Sequence, residues 1–81
     1  MQRSKQIIHE FTIGDVEDPN MMASFIIEAW LKDTPRGQFI QRVDPAITVS
    51  WEWDELGLSY KYKLVAYIEE RQYTLFSLLG D

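Results

Sequence analysis

At 81 residues and a net charge of −5, the chain is one domain with little core to spare, and the acidic balance argues against a double-stranded nucleic-acid binder. No cysteine is present, which removes disulfides and thiolate chemistry, and the single histidine, His9, gives no basis for a histidine-rich metal site. Hydrophobic residues make up 46% of the chain, enough for a packed core, yet apolar runs such as Phe25-Ile26-Ile27 are far too short to span a membrane. Of the supports that small domains use, only oligomerisation is left open. The expected protein is cytoplasmic, in the host cytoplasm if its source is viral.

Met1-Gln2-Arg3-Ser4-Lys5 is a mildly basic lead-in. Gln6 to Ile13 then reads as a strand, with Ile7, His9, Phe11 and Ile13 on a mostly apolar face. Gly14 breaks it. Asp15-Val16-Glu17-Asp18-Pro19 turns into a helix: Asp18 is placed to accept from the free amides of the first turn, and Pro19 suits the first helical position. The helix is expected over Pro19 to Lys32, with Met22, Phe25, Ile26 and Ala29 on its apolar face and Trp30 at the margin. Thr34-Pro35 repeats the cap-then-proline signature. This predicts either a second short helix to Val43 or one helix kinked at Pro35, with Gly37 and Ile40 facing the core.

In the second half, Ile47, Val49, Trp51 and Trp53 alternate with polar residues, which predicts a half-buried strand whose indoles face Phe25 and Ile26. After a turn at Glu55-Leu56-Gly57, a second alternation places Tyr62, Leu64, Ala66 and Ile68 inward and Lys61, Lys63, Val65 and Tyr67 outward. A tight turn at Glu69 to Gln72 then leads into an expected last strand, Tyr73 to Leu79. The predicted class is α+β, in the order β-α-(α)-β-β-β, one domain over residues 1–81. Its antiparallel meander is covered on one face by one kinked or two short helices.

Chemistry is sparse. The acidic turn Asp15, Glu17, Asp18 matches no calcium-loop spacing, and Asp18 already has a capping role. Glu52 and Asp54, with Glu55 next to them, alternate as a pair with Trp51 and Trp53 on a strand and so point to solvent, where nothing raises a carboxyl pKa for acid–base work. His9 has no nucleophile fixed beside it, and Gly37 belongs to no phosphate-binding loop. No catalytic residue, cofactor site or metal site is therefore expected. The outward face of the last hairpin is the candidate interface: Val65, Tyr67, Phe76 and Leu78 as an apolar patch, with Lys61 and Lys63 beside it.

Several short strings, namely Asp15-Val16-Glu17-Asp18-Pro19, Glu28-Ala29-Trp30, Thr34 with Gly37, Phe39-Ile40 and Tyr60-Lys61-Tyr62, resemble a pattern in small uncharacterised proteins of tailed phages, notably T4-like marine phages. Pro35 departs from that pattern. The resemblance implies a phage origin and carries no catalytic residues with it.

Three functions are compatible with the chain. The leading expectation is a non-catalytic protein–protein interaction or oligomeric accessory protein, a homodimer or a binder of a host or virion protein. An acidic nucleic-acid mimic would array Glu52, Asp54, Glu55, Glu69 and Glu70 on one face. A single-stranded nucleic-acid binder would stack bases on Tyr67 and Phe76 beside Lys61 and Lys63.

Overall fold

The computed structural model describes residues 2–80; Met1 of the lead-in lies outside them. Six elements follow in the order β1 (Arg3–Gly14), α1 (Pro19–Asp33), α2 (Pro35–Val43), β2 (Ala46–Asp54), β3 (Ser59–Glu69) and α3 (Glu70–Ser77). The strands form one antiparallel sheet in the order β1-β3-β2, and the helices pack on one of its faces, so the α+β class expected from the sequence is the observed one.

The centre of the sheet is β3. Its inward residues Tyr62, Leu64, Ala66 and Ile68 are all buried, as their period-2 spacing predicts. β1 lies on one side of β3 and presents His9, Phe11 and Ile13 to the same face. A bulge between Ile7 and His9 shifts the parity of this strand. Ile8 therefore enters the core, while Ile7, expected on the apolar face, pairs with Val65 and is exposed.

Both predicted caps are present. Asp18 Oδ1 accepts from the Met21 amide at 3.1 Å. Thr34 is extended (φ −116°, ψ 149°), ends α1 and starts α2, which resolves the Pro35 alternative in favour of two helices. Its hydroxyl accepts from the Gly37 amide at 2.9 Å and donates to the Trp30 carbonyl at 2.7 Å. The buried side of α1 is Ala23 and Trp30, flanked by Ile26 and Ile27. That is about one residue's rotation from the expected face, and Met22, Phe25 and Ala29 consequently lie in solvent. Trp30 sets this rotation. Its ring stacks on His9 at 4.6 Å and meets Phe76 edge-on at 6.3 Å.

The expected last strand is a helix. Tyr73, Phe76 and Leu79 recur every third residue, and α3 turns Phe76 into the core against Trp30, Phe39 and Tyr73. Arg36 ties α2 to its end: Nε donates to the Leu79 carbonyl at 2.8 Å and Nη2 to that of Ser77 at 3.1 Å, with the guanidinium 5.1 Å above the Phe76 ring. Carbonyls at and just past the last turn of a helix have no partners within it, so a cation is favoured there.

A side chain at Gly37 would collide with α1, because a Cβ there would lie 2.0 Å from the Trp30 carbonyl oxygen and 2.6 Å from the Leu31 Cα. Both are backbone atoms and cannot swing aside. Gly37→Ala is thus expected to cost about 3 kcal/mol, the upper end of ordinary overpacking. Urea denaturation would detect it, and a midpoint equal to that of the unmodified chain would show that the two helices do not approach so closely.

Candidate interaction surface

The helical layer covers two strands of the three. The main contacts of α1 are with β1 and α2, and those of α3 are with β3, β1 and α2, whereas β2 packs chiefly on β3. In the β2–β3 register Ile47, Val49, Trp51 and Trp53 oppose Ala66, Leu64, Tyr62 and Tyr60, so all four turn to the helix-covered side, as their alternation predicts. They are not buried there. Ile47 is 37% exposed, Val49 49%, Trp51 53% and Trp53 38%. The expectation that both indoles fill the core against Phe25 and Ile26 is thus corrected. Trp51 and Trp53 rest edge-on against Tyr60 at 5.5 and 4.8 Å, and Phe25 stands in solvent on α1.

The apolar surface continues at the tip of the β2–β3 hairpin. Leu56 is wholly exposed, and Leu58, also exposed, sits in the left-handed region at φ 47°. A branched aliphatic residue costs about 1–2 kcal/mol in that conformation. Two leucines therefore stand in water at the tip, one of them in a strained backbone conformation. The Leu56 amide bonds Asp54 Oδ1 at 3.1 Å, and this holds the turn.

The outer face of the sheet differs. Across its rows Glu10 opposes Lys63, and Lys61 lies opposite Thr12 on one side and Glu52 on the other. Lys61 Nζ is also 3.6 Å from Asp54 Oδ2. Two shallow depressions of about 210 and 340 Å³ cross this face, both bordered by Lys61 and Lys63. Carboxylates and ammonium groups alternate there, as on an ordinary solvated sheet.

The candidate interface read from the sequence is divided by the helical C-terminus. Lys61, Lys63, Val65 and Tyr67 do share the outer face. Phe76 does not: it is buried in α3 beneath the opposite face, and Leu78 is exposed just past the end of that helix. The β2 stripe was visible as a pattern; its exposure was not, since alternation names a face without saying whether another layer covers it.

The remaining candidates stay apart. Asp15, Glu17 and Asp18 are exposed at the start of α1, and among the described residues no group of three or more His, Cys, Asp or Glu is arranged to hold a metal ion. Half-buried His9 stacks on Trp30 at the margin of the core and lies tilted against Phe11. Glu69 and Glu70 lie where β3 passes into α3, at the end of the sheet away from Glu52, Asp54 and Glu55. The Tyr62 phenol is raised above its ordinary pKa, first by burial and then by Tyr60 and Asp18; its hydroxyl donates to Asn20 Oδ1 at 2.9 Å and so joins sheet to helix. No helix among the described residues is long and apolar enough to cross a membrane.

Fold and surface together define a small α+β domain with one uncovered, aromatic-rich edge strand. No protein-family model matches the chain, and neither does any curated protein or solved structure.

The tryptophans separate core from surface experimentally. Trp30→Ala should cost about 3–5 kcal/mol, as buried aromatic truncations do. Trp51→Ala, with half its indole already in water, should cost about 1 kcal/mol. Urea melts at submicromolar concentration, where self-association adds little, would decide between them. Equal losses would place Trp51 in the core. At the hairpin tip, Leu58→Gly should raise stability by roughly 1 kcal/mol through relief of the left-handed strain; a lower melting temperature would mean that the Leu58 side chain holds the turn.

Proposed function

We propose that the chain is a non-catalytic protein–protein interaction module, an accessory protein that works by presenting β2 and the hairpin tip to a partner. The observation that carries this reading is the stripe Ile47, Val49, Trp51 and Trp53, half in water on an edge strand of a domain with little core to spare. A folded monomer gains nothing from holding two indoles and two leucines in solvent, whereas aromatic residues on an uncovered patch are the usual anchors of a protein contact. A second copy of the chain and a different protein, of host or virion origin for a phage product, are both occupants that suit such a surface.

The other two readings draw less support. A nucleic-acid mimic needs carboxylates in an unbroken array, and here Lys61 and Lys63 sit among Glu10, Glu52 and Asp54. A base-stacking sheet needs two exposed rings beside its lysines; Tyr67 is exposed on the outer face, but Phe76 is buried on the other side.

Hydroxyl-radical footprinting provides the test, comparing the chain in its producing cells with purified chain at nanomolar concentration. Trp51 and Trp53 should be modified several-fold less in cells, while Tyr67 changes little. Equal modification of both tryptophans in the two settings would refute the reading, and protection centred on Tyr67 would move the contact to the outer face.

A further inference from the structure

The two edges of the sheet are unequally guarded. β1 carries Arg3, Lys5 and a bulge at Ile8, devices that keep another strand from adding to an edge. β2 has neither a cation nor a bulge, and its charges are Glu52 and Asp54. Ala46 to Asp54 contains no Lys, Arg or Pro, and it pairs with β3 in unbroken register over all nine residues. Its outer side therefore presents a regular row of backbone donors and acceptors, flanked on the covered side by the apolar stripe.

The sequence of β2 is also self-complementary about its midpoint. Let two copies pair antiparallel with Ser50 opposite the partner's Ser50. Trp51 then faces the partner's Val49, and Trp53 the partner's Ile47, which gives four aromatic–aliphatic cross-strand pairs on one side of the ladder. On the other side Glu52 faces the partner's Thr48, and Asp54 the partner's Ala46. No carboxylate meets another. Moving the centre to Glu52 would set two glutamates directly opposite one another and shorten the overlap, and a centre at Trp53 would oppose Glu52 to the partner's Asp54. The Ser50 register is the one that uses the full strand.

Resting on the reading of β2 as the contact strand, we infer that its occupant is a second copy of this chain. Two domains join edge to edge about Ser50 into a continuous six-stranded sheet with twofold symmetry. Such an isologous contact lets one strand serve both subunits. The exposed parts of the four indoles amount to roughly 450 Å² at about 250 Å² per whole side chain, an upper bound on what they bury, because edge pairing covers their flanks and leaves their tops open. The isoleucines, valines and two strand edges bring the buried total toward the 1,000 Å² or so at which a specific interface begins. In this register each hairpin tip also extends past the partner's Ala46, which places Leu56 beside the start of the partner strand.

Because the chain has no cysteine of its own, single cysteines report the register directly. Directly opposed residues of an antiparallel pair have Cα atoms about 4.5–5.5 Å apart, within disulfide range. Under glutathione redox buffer Ser50→Cys should cross-link to a covalent dimer. Thr48→Cys and Glu52→Cys should stay largely monomeric alone and cross-link when mixed with each other. Light scattering of the unmodified chain at about 50 µM should give close to twice 9.6 kDa, and Trp51→Glu should return it to one copy. Equal cross-linking of the three single variants, or of none, would overturn the Ser50 register even if the mass is that of a dimer. A mass of one copy at that concentration would overturn self-association altogether. If the tryptophans were nonetheless protected in cells, β2 would remain a contact strand with a different protein as its occupant; unprotected tryptophans would end both proposals.

Discussion

The fold depends on how Trp30 is seated. Its ring lies between His9 of β1 and Phe76 of α3, so one side chain joins the sheet to the first and last helices. Its carbonyl accepts from the Thr34 hydroxyl and lies where a Cβ on residue 37 would be, so the same residue fixes how closely α2 folds back on α1. Among the described residues its Nε1 is the one buried side-chain polar atom with no hydrogen-bond partner, and such an atom costs about 1–3 kcal/mol. Burial of most of the indole outweighs that cost.

Seating Trp30 over β1 also decides what is left bare. α1 lies along β1, α3 is held over β3 and β1 through Phe76, and α2 is tied to the end of α3 by Arg36. Three short helices arranged in this way cannot extend over β2. The uncovered stripe is therefore a consequence of core packing, and the same packing holds β3 rigid behind it. β2 pairs along its whole length with a strand whose inward side chains are buried, so it would keep its shape before meeting the proposed partner, which would lower the ordering cost of association.

Much of this was legible in the sequence, and the misreadings share a cause. The inward set of β3, the Asp18 cap and the Thr34-Pro35 break rest on local chemistry: alternation, a carboxylate facing free amides, and a proline with no amide proton. All appear in the structure. Alternation also gave the correct face for Trp51 and Trp53, yet whether a helix lies over that face depends on the rotation of α1, which is set by contacts of Trp30 with His9 and Phe76 far away in sequence. The bulge at Ile8 reversed Ile7 by inserting one residue that no periodicity announces. At the C-terminus Tyr73 and Leu75 suggested a strand, but Tyr73, Phe76 and Leu79 carry the helical spacing, and the pull of the core on Phe76 decided between them. The candidate interface moved from one face of the sheet to the other for that reason.

The most direct measurement is amide hydrogen exchange along β2 as a function of concentration. In an antiparallel ladder alternate residues turn their amides toward the neighbouring strand, so about half of those in Ala46–Asp54 bond β3 and half face the open edge. If β2 is the contact strand, the edge-facing amides should exchange roughly tenfold more slowly, or slower still, at tens of micromolar than at nanomolar concentration, with the β3-bonded amides protected throughout. Edge-facing amides that exchange at the free-peptide rate at both concentrations, with slowing confined to β1 or the outer face, would contradict the account.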